Sequence, residues 1–363
     1  MASTGDLLLP TDDGLYCPAG GFFIDPWRPV DRAVITHAHA DHASRGCGRY
    51  LTTRDGEAVL RTRMGAEASI DAVGYGEPVD VNGVRLSLHP AGHILGSAQV
   101  RVERAGEVWV VSGDYKVEPD PTCAAFEPVR GHVFISESTF GLPIYRWPRQ
   151  EEVFAAVRDW WRANQDAGRA SVLFAYALGK AQRLIAGVGA EVGPIYTHGA
   201  VEPLNRAYRA GGVDLPATSP VAEGAGADWS RALIVAPPSA QGSPWMRRFG
   251  ASSTGFASGW MTIRGARRRR SLDRGFVLSD HADWPGLLAA IEATGAERVL
   301  LTHGYTAVVA RYLRDRGVDA AVIATRYEGE RDDAPVEASA GATETEAGAG
   351  GLFGPDTAGG ESR

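Results

Sequence analysis

Within Thr36-His37-Ala38-His39-Ala40-Asp41-His42-Ala43, three imidazoles and one carboxylate fall inside six residues. The alternation His37-x-His39 puts two rings on one side of an extended chain. Asp41 and His42 follow where a loop can turn them towards a second centre. The spacing differs from His-Glu-x-x-His, in which a helical i, i+4 repeat gathers the ligands. Imidazole and carboxylate without an adjacent thiolate suit zinc, manganese or iron in a hydrolytic site better than a structural zinc. A plain His-rich loop is the bland alternative, but groups packed this tightly would repel one another when protonated.

The elements that must position these groups can be read around them. Ala33-Val34-Ile35 is short, β-branched and preceded by the turn-like Pro29-Val30-Asp31-Arg32, so it predicts a buried strand ending on the cluster. Upstream, residues 7–29 predict a hairpin, with Gly20 to Asp25 as a strand ending on a carboxylate. A helix is expected over 53–64, with Thr52 or Thr53 as its N-cap. A meander follows over 77–81, 84–89, 98–102 and 108–112, its first turn marked by Asn82-Gly83. His93, flanked by Gly92 and Gly96, and Asp114, after Gly113, sit at turns that close these strands. His89 and His132 lack such context and read as structural or solvent-facing. From Val133 the pattern alternates strand and helix, with an amphipathic helix over 149–167, which suggests a doubly wound module of roughly 120 residues. Strands at 275–279, 298–302 and 320–324 and helices at 284–293 and 306–316 complete the chain.

Composition sets the outer bounds. The chain has 363 residues, 44% of them hydrophobic, which is ample for a sizeable core. No run approaches the ~18–20 apolar residues of a membrane span, and the N-terminus lacks a signal pattern, so a cytoplasmic protein without a membrane partner is expected. Cys17, Cys47 and Cys123 are isolated and odd in number, which argues against a disulfide framework. The net charge is −7, but the segment from Gly329 to Arg363 contributes −6 of it, leaving the remainder near −1. That segment is poor in large apolar residues and is expected to be a disordered acidic tail.

His37-x-His39-x-Asp41-His42 after a strand resembles the signature of the metallo-β-lactamase superfamily. Ser136-Glu137-Ser138-Thr139-Phe140-Gly141, Leu278-Ser279-Asp280-His281-Ala282-Asp283 and Thr302-His303-Gly304 are similar to three further motifs of its β-CASP nucleases. Ala177-Leu178-Gly179-Lys180-Ala181-Gln182 resembles the segment that enters their cap. The resemblance covers about residues 5–325. It is greatest to bacterial DNA-ligase-associated exonucleases, on the short chain, the lack of a trailing RNA-binding domain and the Arg-rich segment before Ser279. It implies an α/β fold, the metallo-β-lactamase αββα sandwich with an inserted β-CASP α/β cap. The implied layout is a first core part over 1–148, the cap over 149–270, the returning core over 271–328 and the tail over 329–363.

By the same resemblance, His37, His39 and His93 hold one divalent metal, Asp41, His42 and His303 hold another, and Asp114 bridges them. Zinc is expected and manganese is the alternative. Asp25 would orient a ligand histidine, and His281, held by Glu137, would protonate the leaving oxygen. The dense basic run Arg264, Arg267, Arg268, Arg269, Arg270 and Arg274 offers phosphate-backbone contacts, with Lys180 and Arg183 as further candidates. Trp245 and Trp284 could stack bases, but core packing is the favoured reading for both. The implied activity is a DNA exonuclease working in repair beside an ATP-dependent DNA ligase and a helicase. Its alternative is an RNA-processing nuclease, because a histidine at the position of His303 is the pattern of those enzymes. A small-molecule metallohydrolase is a third reading, disfavoured by the inserted module and the Glu137/His281 pair.

Overall fold

The computed structural model describes residues 6–263 and 272–327. Arg264 and Arg267 to Arg270 therefore lie outside the described residues, as does the tail from Gly329 onwards. Two sheets meet over a shared apolar layer. The first runs β1 (Leu9–Pro10), β2 (Leu15–Cys17), β3 (Phe22–Ile24), β4 (Arg32–Val34), β5 (Arg49–Thr53), β6 (Ile70–Val73) in spatial order. It is antiparallel through β3 and parallel from there on. The second contains the predicted meander β7 (Val79–Val81), β8 (Val84–Pro90), β9 (Ala98–Arg104) and β10 (Glu107–Val111). Beyond β10 it continues in parallel through β11 (Val133–Ser138), β18 (Arg298–Gly304) and β19 (Asp319–Val322).

Leu15, Phe22 and Val34 of the first sheet pack against Leu86, Val100, Trp109 and Val133 of the second. Helices cover both outer faces. Helix α1 (Arg54–Met64) lies on the first sheet, and α5 (Trp284–Thr294) and α6 (Thr306–Arg314) lie on the second. Thr53 caps α1 by accepting from the Gly56 N–H, as the sequence predicts for one of its two threonines.

β11 and β18 are hydrogen-bonded neighbours although about 160 residues separate them. The chain between them builds a third sheet, all parallel, in the order β14 (Thr218–Pro220), β13 (Ile195–Thr197), β15 (Leu233–Ala236), β12 (Ala170–Phe174), β16 (Ser252–Ala257), β17 (Arg274–Phe276). Its helices α2 (Gln150–Asp166), α3 (Lys180–Val188) and α4 (Glu202–Ala210) share one apolar cluster with α1 and the outer face of the first sheet. The module is therefore packed on the sandwich rather than tethered to it. The strands at 49–53, 70–73, 218–220 and 252–257 were not predicted. They are short, and Ser252-Ser253-Thr254-Gly255 has neither alternation nor an apolar run.

Close backbone contact fixes the loop that carries His93. Thr53 Oγ1 donates to the Gly96 carbonyl at 2.8 Å, and Gly96 takes a left-handed φ of 76° against the first turn of α1. A Cβ on Gly96 would lie 2.0 Å from the Gly56 Cα. Gly96→Ala should therefore cost more than the ~1–3 kcal/mol of a strained left-handed residue alone. A urea midpoint lowered accordingly is the expected result, and an unchanged midpoint would show that the loop yields freely.

Candidate metal centre

The loop after β4 carries Asp41 and three histidines, the loop after β8 His93, the end of β10 Asp114, and the end of β18 His303. All meet at one rim of the two-sheet sandwich. Asp114 is buried at their centre. Its Oδ2 lies 3.5 Å from His37 Nε2 and 3.8 Å from His93 Nε2. Its Oδ1 lies 3.1 Å from His303 Nε2 and 3.6 Å from His42 Nε2. One oxygen thus faces each set of imidazoles. Two sets of ligand-type atoms converge around it, His37–His39–His93–Asp114 and His42–Asp114–His303. Asp41 Oδ2 stands 3.7 Å from His42 Nε2, on the second side.

Each imidazole is anchored through its outer nitrogen. His42 Nδ1 donates to Asp25 Oδ2 at 2.7 Å, and His93 Nδ1 to the Asp280 carbonyl at 2.7 Å. His39 Nε2 donates to the Leu178 carbonyl at 3.2 Å. Thr36 Oγ1 gives its own proton to Asp25 and so accepts from His37 Nδ1 at 3.0 Å. Thr302 Oγ1 serves His303 Nδ1 in the same way at 2.9 Å. An outer N–H held by an oxygen leaves the inner nitrogen as a bare lone pair. The inner atoms His37 Nε2, His42 Nε2, His303 Nε2, Asp41 Oδ2 and Asp114 Oδ1 are buried with no hydrogen-bond partner. The inner nitrogens of His39 and His93 are 3.0 Å apart.

Orphaned lone pairs at this density are costly unless a cation satisfies them. The residues fit a pair of divalent ions of the nitrogen- and oxygen-loving kind. The electrostatics agree. Burial holds the His37 imidazole well below its usual range, as does the charge on His42. Burial does the same for His93, helped by His281 and His39. Burial also opposes charge on His42, but Asp114, Asp41 and Asp25 overcome it and push that group up to about 10. Asp114 would be raised by burial, yet His42 and His281 hold it well below the usual carboxylate range. Positive charge is thus favoured between Asp41 and Asp114, where a metal ion would replace the proton.

Beside the centre, His281 Nδ1 is 3.0 Å from both oxygens of Glu137 and 4.0 Å from Asp114 Oδ2. Glu137 also accepts from the Tyr115 and Thr139 N–H groups. Trp147 donates its indole N–H to the His281 carbonyl at 2.9 Å. Asp25, at a left-handed φ of 45°, touches both Thr36 and His42. Sequence reasoning missed Thr36, Thr302, Trp147 and Tyr327, whose ring stacks on His42 with centroids 4.5 Å apart. Thr-His recurs at three strand ends, Thr36-His37, Thr197-His198 and Thr302-His303, and the first and third of these are the ones that reach the centre. His89 bonds Ser87, and His132 accepts from the Val108 N–H, both away from the centre.

One expectation needs correction. Lys180 and Arg183 do not line a cleft edge: both are buried, and both pair with Asp280. Trp284 is a core residue of α5, in line with the favoured core-packing reading. Trp245, half-buried, packs on Phe249 and His198.

No family model matches the chain. A protein of Opitutus terrae named as a probable DNA ligase is 31% identical over 309 residues, 85% of this chain and 30% of its own length. The Drosophila melanogaster cleavage and polyadenylation specificity factor 73 is 30% identical over 174 residues, 44% of this chain and 25% of its own. The Saccharomyces cerevisiae endoribonuclease YSH1 is 25% identical over 224 residues, 42% and 29% respectively. The chain thus spans less than a third of the length of these relatives. Among solved structures, a protein of unknown function from Enterococcus faecalis shares the fold, with a TM-score of 0.57 at 10% identity over 82% of this chain and 80% of its own.

Because Asp25 holds His42 directly and His37 through Thr36, Asp25→Ala should weaken binding of both metal ions, by about 10–100-fold for the one that His42 would hold. Titration with zinc against a competing chelator would read the loss. Unaltered affinity for both ions would remove Asp25 from the site.

Proposed function

We propose that this chain, which belongs to the β-CASP branch of the metallo-β-lactamase superfamily, is a two-metal nuclease that degrades DNA from one end. The observation that carries the nuclease reading is the convergence of unpartnered inner nitrogens on both oxygens of Asp114, 4.0 Å from a buried His–Glu pair. Two divalent ions, zinc or manganese, would supply a water of lowered pKa and charge to brace the phosphate. His37, His39 and His93 would hold one, Asp41, His42 and His303 the other, with Asp114 between them. The module built on the third sheet is the β-CASP cap in this reading, inserted over about 149–270, and residues 1–148 and 271–328 form the nuclease core.

The chain's own groups then divide the work. Asp25 keeps His42 in the tautomer whose Nε2 faces inward. Glu137 accepts the His281 Nδ1–H and so fixes the tautomer and orientation of the ring. His281 Nε2 is the nitrogen that would hand a proton to the departing oxygen. Burial of the pair excludes water that would compete for that proton.

The choice of DNA rests on a relative named as a probable DNA ligase, which aligns with most of this chain, whereas the cleavage and polyadenylation factor and the endoribonuclease align with less than half. In this reading the enzyme serves repair in the cytoplasm beside an ATP-dependent ligase and a helicase. An RNA-processing role is the second reading, supported by His303 and by those same relatives. His303 faces Asp114 at 3.1 Å. It completes a ligand set and need not touch the sugar, whereas RNA selection requires contact with the 2′-OH. Arg267 to Arg270 are the proposed backbone contacts, in place of Lys180.

His281→Ala should retain its metals and lose about 10²–10⁴-fold on an ordinary phosphodiester. It should lose far less on an ester with a p-nitrophenolate leaving group, which departs without an acid. Equal losses on both would remove His281 as proton donor. Matched single-stranded oligomers should show DNA shortened progressively from one end faster than RNA. Faster cleavage of RNA would move the assignment to the second reading. Replacing Arg267 to Arg270 with serine should flatten the salt dependence of binding, by about 0.7 per lost phosphate contact on a single strand. An unchanged slope would take those arginines off the strand.

A further inference from the structure

The grip on His39 and His93 comes from outside the sandwich. Both acceptors lie on loops that follow strands of the third sheet, β12 and β17. Leu178, which holds His39, immediately precedes α3. Asp280, whose carbonyl holds His93, follows β17 as the chain returns. Ligands of the second set are held otherwise: His42 by Asp25 and His303 by Thr302, both within the sandwich.

These two segments are tied together inside the module. Arg183 of α3 donates from Nη1 to the Ser279 carbonyl and to Asp280 Oδ1, and from Nη2 to Gln150 Oε1. Lys180 Nζ lies 3.7 Å from Asp280 Oδ2. Gln182 fixes the turn at Leu178, accepting from the Gly179 N–H and donating to the Ala177 carbonyl. Gly179, at a φ of 85°, sits so close to the His93 loop that a Cβ would lie 2.3 Å from Ile94 Cγ2. The same loop is gripped a third time, where Tyr208 of α4 accepts from the Leu95 N–H at 3.1 Å. None of these ties serves packing alone, because each ends on an acceptor or on the loop that orients an imidazole.

We propose that the junction of the third-sheet module, through Leu178, Arg183, Tyr208 and Asp280, completes the first metal site, so that metal binding there and seating of the module on the sandwich are reciprocally coupled. A module that lifts removes the acceptors that keep His39 and His93 in their inward-facing tautomers. A metal ion held by those rings resists the lift by the same factor. Arg183 and Tyr208 are positioning residues in this scheme, and neither touches the reacting phosphate. The inference rests on the two-metal reading, but its test needs no nucleic acid.

The test is zinc titration against a chelator, with hydrogen exchange of the intact protein followed with and without zinc. Zinc should slow exchange of the amides over 177–183 by about tenfold or more. Arg183→Gln should weaken one of the two ions about 10–100-fold and leave the other unchanged. Tyr208→Phe, which removes one hydroxyl from an otherwise intact helix, should weaken the same ion to a smaller degree. If Arg183→Gln does not fold, Tyr208→Phe and the wild-type exchange decide. Wild type that binds two ions while 177–183 exchange as before would overturn the coupling alone, as would unaltered affinities in the variants. Wild type that binds no zinc would overturn the two-metal reading together with it.

Discussion

Everything at this rim depends on the burial of one carboxylate. Asp114 is only 3% exposed, and one of its oxygens has no hydrogen-bond partner. A lone carboxylate would neutralise itself in such surroundings. Here the surrounding imidazoles reverse that preference and keep the group ionised. The imidazoles in turn keep their rings aimed at Asp114 because oxygens hold their outer nitrogens. Position and charge are therefore one problem. The backbone must bring four strand ends to one rim, and each ring must find an oxygen behind it.

The parallel strands solve the first part. β4, β10, β11 and β18 all run towards the rim, so the residues at or just beyond their carboxyl ends, 36–42, 112–114, 137 and 302–303, converge without long loops. The third sheet repeats the arrangement. β12 and β17 also end towards the site, delivering 177–180 and 279–281. That is the usual location of sites in parallel sheets, outside the carboxyl ends of strands. The second part is solved by small hydroxyl and carboxylate side chains. Thr36 passes a hydrogen bond from His37 to Asp25, which also serves His42. One buried carboxylate thus orients two rings of different ligand sets.

Much of this was legible in the chain because the chemistry is local. The spacing of His37, His39, Asp41 and His42 announces a ligand cluster without any tertiary information. Asn82-Gly83 announces the meander, and the amphipathic repeat over 149–167 announces α2. What could not be read is what distance in sequence hides. Leu178 and Asp280 act through backbone carbonyls, which carry no residue identity at all. Arg183 and Lys180 read as surface cations because their partners, Asp120, Glu118 and Asp280, lie 60 to 100 positions away. The strands β5, β6, β14 and β16 are short, and Ser252-Ser253-Thr254-Gly255 earns its place only through neighbours on both sides.

The buried charges at the module junction carry the final point. Lys116, Lys180 and Arg183 face Asp120 and Asp280, with the half-buried Glu118 beside them. Apolar residues of similar volume would hold the same interface at equal or lower free energy, because burying ions is expensive. Such a network offers direction instead. It fixes the Ser279–Asp280 backbone to one rotation, and the Asp280 carbonyl must point at His93 Nδ1 to be useful. A greasy contact would tolerate slippage of a few tenths of an ångström, and a hydrogen bond to a ring nitrogen does not. The same charges are buried and paired within the junction, so they act on its geometry and not on the surface around the site.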